Sequence, residues 1–257
     1  GIPKEKIVRL GKKDNFWGPA GDSGACGPCS ELYIDMGEEK GCHKEGCYVG
    51  CDCERYLEFW NLVFNEFFQD TDGKLSPLQN VGIDTGMGLE RLCYIMQGAE
   101  SNYQTDVMKP IVDAISKKLN IKYEDKNKTK INLIADHLRA LVFVIGEGCI
   151  PSNEGRGYVL RRLLRRALKT ANDFGYKNAF LNEITDSVIN VYGCIYDNLP
   201  KEENNIKRIL KEEENKFINT ISAGINKLYS VMEDSKDKII KGSDAFMLFD
   251  TYGLPLD

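Results

Sequence analysis

The chain has 257 residues, of which 42% are hydrophobic and 28% charged, a composition typical of a globular protein with one large or two modest domains. We find no apolar run of membrane-spanning length and no secretory segment, so we expect a cytoplasmic protein without a membrane partner. The net charge of −5 excludes a general nucleic-acid binder, and any RNA contact must come from a local basic patch. Because the chain begins at Gly1 rather than at methionine, we expect a piece of a longer protein.

The first distinctive segment, residues 24–31, is dense in glycine, proline and cysteine. So many turn-forming residues predict a constrained loop. Leu32, Ile34 and Met36 alternate with other residues and predict a strand. Cys26 and Cys29 have the spacing of a redox motif or of half a zinc site, but no second C-x-x-C pair follows to support either.

A cysteine-rich segment follows at residues 42–53. Four of the nine cysteines fall within these twelve residues, and the total is odd, which favours a metal site or free thiols over a disulfide framework. Thiolates suit Zn²⁺, so we predict a structural zinc site, with His43 as a reserve ligand. The alternative is a loop of reduced cysteines. The predicted ligands are Cys42, Cys47, Cys51 and Cys53.

Residues 55–69 are apolar at both odd and even positions, which predicts a strand buried on both faces. Asn61 lies in its middle, and a buried amide must be hydrogen-bonded. It either bonds a neighbouring loop or lines a pocket. Asp72-Gly73 then predicts a hairpin turn into the next strand.

Residues 81–96 read as strand, tight turn and helix, with two glycines at the junction. We expect Gly86 and Gly88 to adopt conformations closed to other residues and to admit a ligand. Arg91, in the first helical turn, can bind phosphate or an aromatic base, and Asp84 can hold a cation or an amine. The alternative is a glycine-rich turn with a salt bridge.

After residue 100 the pattern becomes helical. Spacing predicts a helix over residues 107–119, a polar loop at 122–130, a central helix at 131–146, and two more helices at 180–195 and 202–234. We expect His137, in the central helix, to be a satisfied core residue.

A basic helix follows Pro151. Arg161, Arg165 and Lys169 are spaced by four, as are Arg162 and Arg166, so all five fall on one face. Such a stripe in an acidic chain can bind phosphates. The alternative is a solvated face paired with glutamates.

Five stretches, in order, resemble one family. Gly86–Arg91 matches the third signature motif, G-x-G-x-E-R, of class II aminoacyl-tRNA synthetases, and its longer form from Asp84 is similar to the alanine enzymes. The other stretches lie around Cys26–Glu31, Trp60–Phe64, Pro151–Arg162 and Leu248–Pro255. The resemblance implies an α+β fold: residues 1–102 as the C-terminal part of the class II antiparallel-sheet catalytic domain with the zinc loop, and residues 103–257 as a mainly helical tRNA-recognition domain.

The resemblance also implies roles. The family joins alanine to ATP, with Mg²⁺, and transfers it to tRNA(Ala), so catalysis is by positioning and electrostatics. Asp84 would hold the alanine ammonium and Asn61 its carboxylate. The family's first two motifs would precede residue 1, so residues 1–257 alone should not activate alanine. The implied alanine-binding residues are Trp17, Asn61, Val63, Asp84 and Gly86, and the ATP-binding residues are Gly88 and Arg91.

For tRNA, the resemblance implies that Asn153 and Asp250 read a G·U wobble pair in the acceptor stem, since its exposed guanine amino group needs acceptors. Arg162, Arg165 and Arg166 would hold phosphates. The competing interpretation makes Asn153 a helix N-cap and Asp250 a turn residue. Two other functions stay open, a non-catalytic RNA-binding module and a zinc-organised interaction domain.

Overall fold

The computed structural model describes residues 2–44, 46–51, 53–234 and 239–251, without the side chains of residues 221, 222, 234 and 250. The chain divides into two compact units, residues 1–105, here called the sheet unit, and residues 106–257, the helical unit. The described part contains one four-stranded antiparallel sheet and seven α-helices, so the predicted α+β class is confirmed. Among the described residues no helix is both long and apolar enough to cross a membrane.

The sheet unit is built from four strands that pair in chain order. They are followed by helix α1, Leu89–Gln97, which begins directly after Gly88 and packs near β3. The strands are β1 (Phe16–Trp17), β2 (Gly24–Asp35), β3 (Tyr56–Gln69) and β4 (Leu75–Met87), in the order β1-β2-β3-β4.

The predicted loop at residues 24–31 is wrong, because these residues begin strand β2. The register against β3 shifts between Cys26 and Cys29, which indicates a bulge. A Cβ on Gly27 would lie 1.7 Å from the Phe64 carbonyl oxygen, so only glycine allows this approach of the two backbones. The turn-forming residues therefore bend a strand instead of ending it.

Strand β3 and its hairpin agree with the prediction, but the burial does not. The turn is closed by hydrogen bonds between Asp70 and Lys74, and Gly73 has a φ of 80°. Val63 is buried, whereas most other β3 side chains are half-exposed. The prediction of burial on both faces was wrong. Apolar residues at every position indicate a strand, but they do not show whether other elements cover its two faces.

The predicted tight turn before α1 is also wrong. Gly86 lies within β4, and Gly88 has an extended backbone with a φ of −72°. These glycines are therefore not required for a left-handed conformation. A Cβ on Gly86 would meet nothing within 4 Å, whereas one on Gly88 would press on the Arg91 side chain at 3.3 Å. At the junction of β4 and α1 the glycines therefore provide open space above the strand, and not a strained backbone conformation.

The helical unit is organised around α3, as predicted for the apolar segment 131–146. This helix packs against α2, α4, α5 and α6 and buries an apolar stripe that includes Ile134 and Leu141. The loop predicted at 122–130 is shorter, because α3 already begins at Asp125 with its lysine-rich turns. The helices are α2 (Lys109–Leu119), α3 (Asp125–Gly146), α4 (Gly155–Asp173), α5 (Asp186–Tyr192), α6 (Asn198–Asp234) and α7 (Gly242–Asp250).

The helix predicted over residues 180–195 is interrupted, whereas the long helix from residue 202 is confirmed as α6. Residues 181–183 form a 3₁₀ turn, and α5 covers only residues 186–192. The fully buried Glu214 explains the interruption, because its carboxylate accepts the backbone N–H groups of Phe180, Leu181 and Asn182 at 2.8–3.2 Å. The Glu214 side chain thus accepts the backbone hydrogen bonds that carbonyl oxygens accept in a regular helix.

His137 is a core residue, as predicted, but it is only half satisfied. Its side chain is buried, and Nδ1 lies 3.4 Å from the neighbouring Asp136 carboxylate. Nε2 is buried and has no hydrogen-bond partner among the described residues. The prediction of burial is confirmed and that of full satisfaction is not.

Candidate functional site

Cross-strand register brings four of the predicted site residues together on one face of the sheet. Asn61 pairs with Gly86, and Val63 pairs with Asp84, across β3 and β4. Directly paired residues of an antiparallel sheet project from the same face. Glu31 of β2 pairs with Asn61 and joins this set. We call Glu31, Asn61, Val63, Asp84 and Gly86 the Asn61 face.

Asp84 supplies a carboxylate on this face. Its Oδ2 accepts a hydrogen bond from Asn65 Nδ2 at 2.5 Å, and the residue is otherwise exposed. Its second oxygen can accept a hydrogen bond from a ligand amine or bind a cation. Beside it, the missing Cβ of Gly86 leaves the strand surface open.

Asn61 is held by a hydrogen-bond network that the sequence did not indicate. Its Nδ2 donates to Glu31 Oε1 at 2.9 Å, and Tyr33 OH donates to Glu31 Oε2 at 2.6 Å. Cys29 Sγ lies 3.4 Å from the same Glu31 oxygen that Asn61 uses. Burial and this carboxylate raise the pKa of Tyr33 well above its usual value, which keeps its hydroxyl a donor. The Oδ1 atom of Asn61 is buried and has no partner among the described residues.

Arg91 lies at the start of α1, where its guanidinium folds back onto β3. Its Nη1 donates to the Glu58 carbonyl oxygen at 2.6 Å and lies 3.5 Å from the Glu58 carboxylate. The side chain remains 45% exposed, so it can still receive an anionic or aromatic ligand. Gly88 allows Arg91 to lie close to the backbone at this point.

Trp17 lies apart from these residues in the sheet. It is on β1, the opposite edge strand from β4, pairs with Gly27, and is 55% exposed. The strand pairing alone therefore does not place the Trp17 indole next to the Asn61 face.

The cysteine loop between β2 and β3 gathers its four predicted ligands. The Sγ atoms of Cys42, Cys47, Cys51 and Cys53 all lie within 4.8 Å of one another. The Sγ atoms of Cys42 and Cys51 are 3.7 Å apart, and those of Cys47 and Cys53 are 3.6 Å apart. Four sulfurs so close fit the tetrahedral shell that zinc prefers. His43 is exposed and stands outside this group among the described residues.

The ends of this loop are fixed by polar contacts. The backbone N–H of Arg55 lowers the pKa of Cys53 to about 7, whereas burial raises that of Cys47 to about 11. The Arg55 guanidinium forms two hydrogen bonds with Asp35, at 3.0 and 3.1 Å, and so ties the end of β2 to the start of β3. Donors directed at sulfur stabilise the thiolate form, which is the form that binds a metal.

The five basic residues of α4 do not form a single solvated stripe. Arg161 is bound to Glu213 of α6 at 2.9–3.0 Å, with both side chains less than a fifth exposed. Arg165 lies over the Phe217 ring at 5.4 Å, and burial lowers its pKa. Arg162 and Arg166 are exposed. One side of the predicted stripe therefore packs α4 on α6, and the other side faces solvent.

Asn153 is not the N-cap of α4. Glu154 occupies the N-cap position, without a side-chain cap. Asn153 is exposed, and its Oδ1 accepts a hydrogen bond from Arg161. The start of α4 is fixed by Gly157, where a Cβ would lie 2.3–2.8 Å from atoms of Ile150 and Ser152. Asp250 closes α7, its side chain is not described, and residues 252–255 of its segment lie outside the described residues.

Three residues of the site escaped the sequence interpretation. Glu31 and Tyr33 hold Asn61, and Glu58 holds Arg91. Polar residues alternate along β2, which is the available signal for Glu31, but the turn formers of residues 24–31 predict a loop there. Glu58 precedes an apolar run and carries no motif of its own.

Comparisons with known proteins agree on one family. A family model described as tRNA synthetases class II (A) matches residues 1–257. Curated relatives that are 46–48% identical include alanine–tRNA ligases of Leptospira borgpetersenii, Leptospira biflexa and Clostridioides difficile. These matches cover 99–100% of the chain but only 28–30% of each relative. The chain thus spans less than a third of the length of the relatives it matches.

Proposed function

Because the chain belongs to the class II tRNA synthetase (A) family, we propose that it is the part of an alanine–tRNA ligase that contains the alanine site and the third signature motif. One observation carries this proposal. The register of β3 and β4 brings Asn61, Val63, Asp84 and Gly86 onto one face, beside the helix that carries Arg91. Such a site suits a small amino acid and a phosphate next to each other.

For alanine, the Asp84 carboxylate is the acceptor for the ammonium, Val63 limits the pocket, and Gly86 leaves room for the methyl group. Asn61 completes the polar lining. Trp17 is included in the alanine site from the resemblance alone. We propose no general acid or base, since the reaction needs reactants in contact and phosphate charge stabilised.

For ATP, Gly88 and Arg91 are the proposed contacts. A guanidinium at a helix N-terminus is suited to phosphate oxygens or a purine face, and the backbone N–H groups of the first helical turn add partial positive charge. Class II synthetases use ATP with Mg²⁺, and the ion would neutralise charge on the phosphates. The Glu58 carbonyl oxygen accepts a hydrogen bond from Arg91 at 2.6 Å and so holds the guanidinium in place.

For tRNA(Ala), we propose that the helical unit contains the recognition domain predicted over residues 103–257. Arg162 and Arg166, exposed on α4, are the better candidates for phosphates. Arg165, packed on Phe217, is less available than the sequence suggested. Asn153 and Asp250 remain the proposed readers of the G·U pair.

We also assign a structural zinc ion to the cysteine loop. Its four sulfurs lie within 4.8 Å of one another. The loop connects the paired strands β2 and β3, so one bound ion could hold the loop in a single conformation. No open coordination position is needed, since no step of the reaction calls for this metal.

ATP binding tests the catalytic proposal against a non-catalytic RNA-binding module. In the full-length protein, Arg91→Ala should weaken ATP binding about 10-fold or more, the loss expected for a charge-assisted contact. Arg9→Ala, an exposed arginine in the same unit, is the matched control. Binding of ATP by the Arg91 variant with wild-type affinity, or no ATP binding by the wild type, would contradict the proposal.

A further inference from the structure

We propose that Glu213, acting through Arg161, is a positioning residue for Asn153 and therefore helps to determine which tRNA is chosen. This inference deepens the proposed function and rests on it, because it takes Asn153 to be a reader of the G·U pair. Glu213 lies on α6, 52 residues after Arg161 in the chain, so the stretch that contains Asn153 gives no sign of it.

Arg161 links α6 to the loop that precedes α4. Its Nε donates to Glu213 Oε2 at 3.0 Å, and its Nη2 lies 2.9 Å from the same oxygen. Nη2 also donates to the Pro151 carbonyl oxygen at 3.3 Å, and Nη1 donates to Asn153 Oδ1. One planar guanidinium therefore joins a carboxylate of α6 to the backbone and to a side chain of the loop.

The Glu213 carboxylate holds this guanidinium in one place. The side chains of Glu213 and Arg161 are both less than a fifth exposed, and Lys216 donates to the second Glu213 oxygen, Oε1, at 2.9 Å. Both carboxylate oxygens are therefore engaged, and the donors of the guanidinium form a rigid fork. Residues that support a binding site in this way decide how precisely the binding side chain is oriented.

The contact with Arg161 fixes the Asn153 amide. A guanidinium has only donors, so it must face the amide oxygen and not the amide nitrogen. It occupies one of the two lone pairs of Oδ1 and leaves the other for a donor such as the guanine amino group. The backbone on either side is also fixed, since the Ser152 N–H donates to the Gly157 carbonyl oxygen at 3.0 Å. Because Asn153 is exposed, this oriented acceptor lies where a tRNA can reach it.

Positioning has a consequence that helix packing alone does not have. Without the Arg161 contact, the exposed Asn153 side chain would rotate among several rotamers, and its acceptor would no longer be held toward the base pair. The phosphate contacts proposed for Arg162 and Arg166 would remain. We therefore expect the preference for the G·U pair to fall without an equal fall in tRNA affinity.

The test measures aminoacylation, by the full-length protein, of tRNAs with G·U or G·C at this pair, and takes the ratio of the two kcat/KM values. Arg161→Lys keeps the charge that pairs with Glu213 but lacks the fork. It should lower the ratio by about 3- to 10-fold, the range expected when one side chain is no longer held in its binding orientation. Glu213→Ala should lower the ratio similarly, whereas Glu213→Gln, which retains an acceptor oxygen, should preserve most of it.

The control for a general loosening of α6 is Lys207→Ala. Lys207 pairs with Asp186 and so ties α6 to α5, at 2.5 Å, and not to the loop. This variant should lower the free energy of unfolding and leave the ratio unchanged. An equal fall of the ratio in the Lys207 variant would assign the effect to stability and overturn the inference. Arg161→Lys retains the ion-pair charge and decides the question even if Glu213→Ala does not fold.

A double variant shows whether Glu213 acts through Asn153. Glu213→Ala with Asn153→Ala should lower the ratio no further than Asn153→Ala alone, and a further fall would overturn the inference. If Asn153→Ala lowers the ratio but Arg161→Lys does not, the inference fails and the proposed role of Asn153 stands. If Asn153→Ala leaves the ratio unchanged, that proposed role fails, and this inference with it.

Discussion

Asp84 offers a second acceptor oxygen at a fixed position on the Asn61 face, since Asn65 is the only hydrogen-bond partner of its carboxylate in the part of the chain that the structure describes, and it engages Oδ2. Asp84→Asn should therefore raise the KM for alanine by about 10- to 100-fold, equivalent to about 1.5–3 kcal/mol for a hydrogen bond to a charged group. Steady-state exchange kinetics of the full-length protein measure this effect. The fold should survive, because the residue is exposed.

The control for this variant is Asp72→Asn, which removes the same charge from the exposed hairpin turn of the sheet. It should leave the KM for alanine unchanged. Equal effects of the two substitutions would mean that net charge, and not Asp84, governs alanine binding.

Two neighbouring arginines of α4 should have different roles, one in the stability of the fold and the other in tRNA binding. Arg161→Ala breaks a largely buried pair with Glu213 and should lower the free energy of unfolding by about 1–3 kcal/mol. Arg162→Ala, at an exposed position, should leave stability within about 0.5 kcal/mol but weaken tRNA binding and flatten its salt dependence. Chemical denaturation and filter binding over a salt series separate the two effects. A destabilised Arg162 variant would contradict this division of roles.

At the scale of single residues, the sequence predicts Asp84, Asn61 and Arg91 as site residues but does not indicate the side chains that contact them. Asp84 and Arg91 belong to one motif of characteristic spacing, and Asn61 lies in a second stretch, Trp60–Phe64, that resembles the same family. Glu31 and Glu58 were not identifiable, because their roles depend on cross-strand pairing, which brings together residues 30 and 33 positions apart in the chain. Spacing along one helix likewise could not show that Arg161 and Arg165 pack against a later helix.

The cysteine loop brings four sulfurs within 4.8 Å of one another, so we expect its stability to depend on a bound metal. Purified full-length protein should contain one zinc ion per copy for this loop, and Cys51→Ser should release it and lower the thermal midpoint. Elemental analysis and thermal unfolding measure both. Cys194→Ser, at an exposed cysteine in the helical unit, is the control and should leave zinc content unchanged. Wild-type protein that is folded, metal-free and has four titratable thiols in the loop would contradict the site.

Elements were predictable where one periodicity dominated. The hairpin of β3 and β4 and the long helix α6 followed from turn chemistry and from regular apolar spacing. The second part of β2 agrees with the strand predicted from Leu32 and Ile34, but its first part was missed because Gly27 and Pro28 are turn formers in isolation. Only contact with Phe64 shows that they accommodate a bulge. The break before α5 was missed because its cause, Glu214, lies on another helix.

For the molecule as a whole, tRNA choice should be separable from tRNA affinity. Asn153→Ala and Asp250→Ala should reduce the preference for a G·U over a G·C pair in the acceptor stem, because each removes an acceptor for the guanine amino group. Arg162→Ala should weaken both tRNAs alike. Aminoacylation of the two tRNAs by the full-length variants decides between these outcomes. An unchanged G·U preference in both acceptor variants would assign them to structure alone.

The central proposal is that the Asn61 face, with Arg91 beside it, holds the alanine and ATP that the full-length protein joins. Amino-acid-dependent ATP–pyrophosphate exchange, measured with the full-length protein and each of the twenty amino acids, tests it most directly. We predict exchange with alanine above all others, weakened strongly by Asp84→Asn and by Arg91→Ala but not by Asp72→Asn. Exchange that prefers a different amino acid, or that is absent with all twenty, would contradict the account.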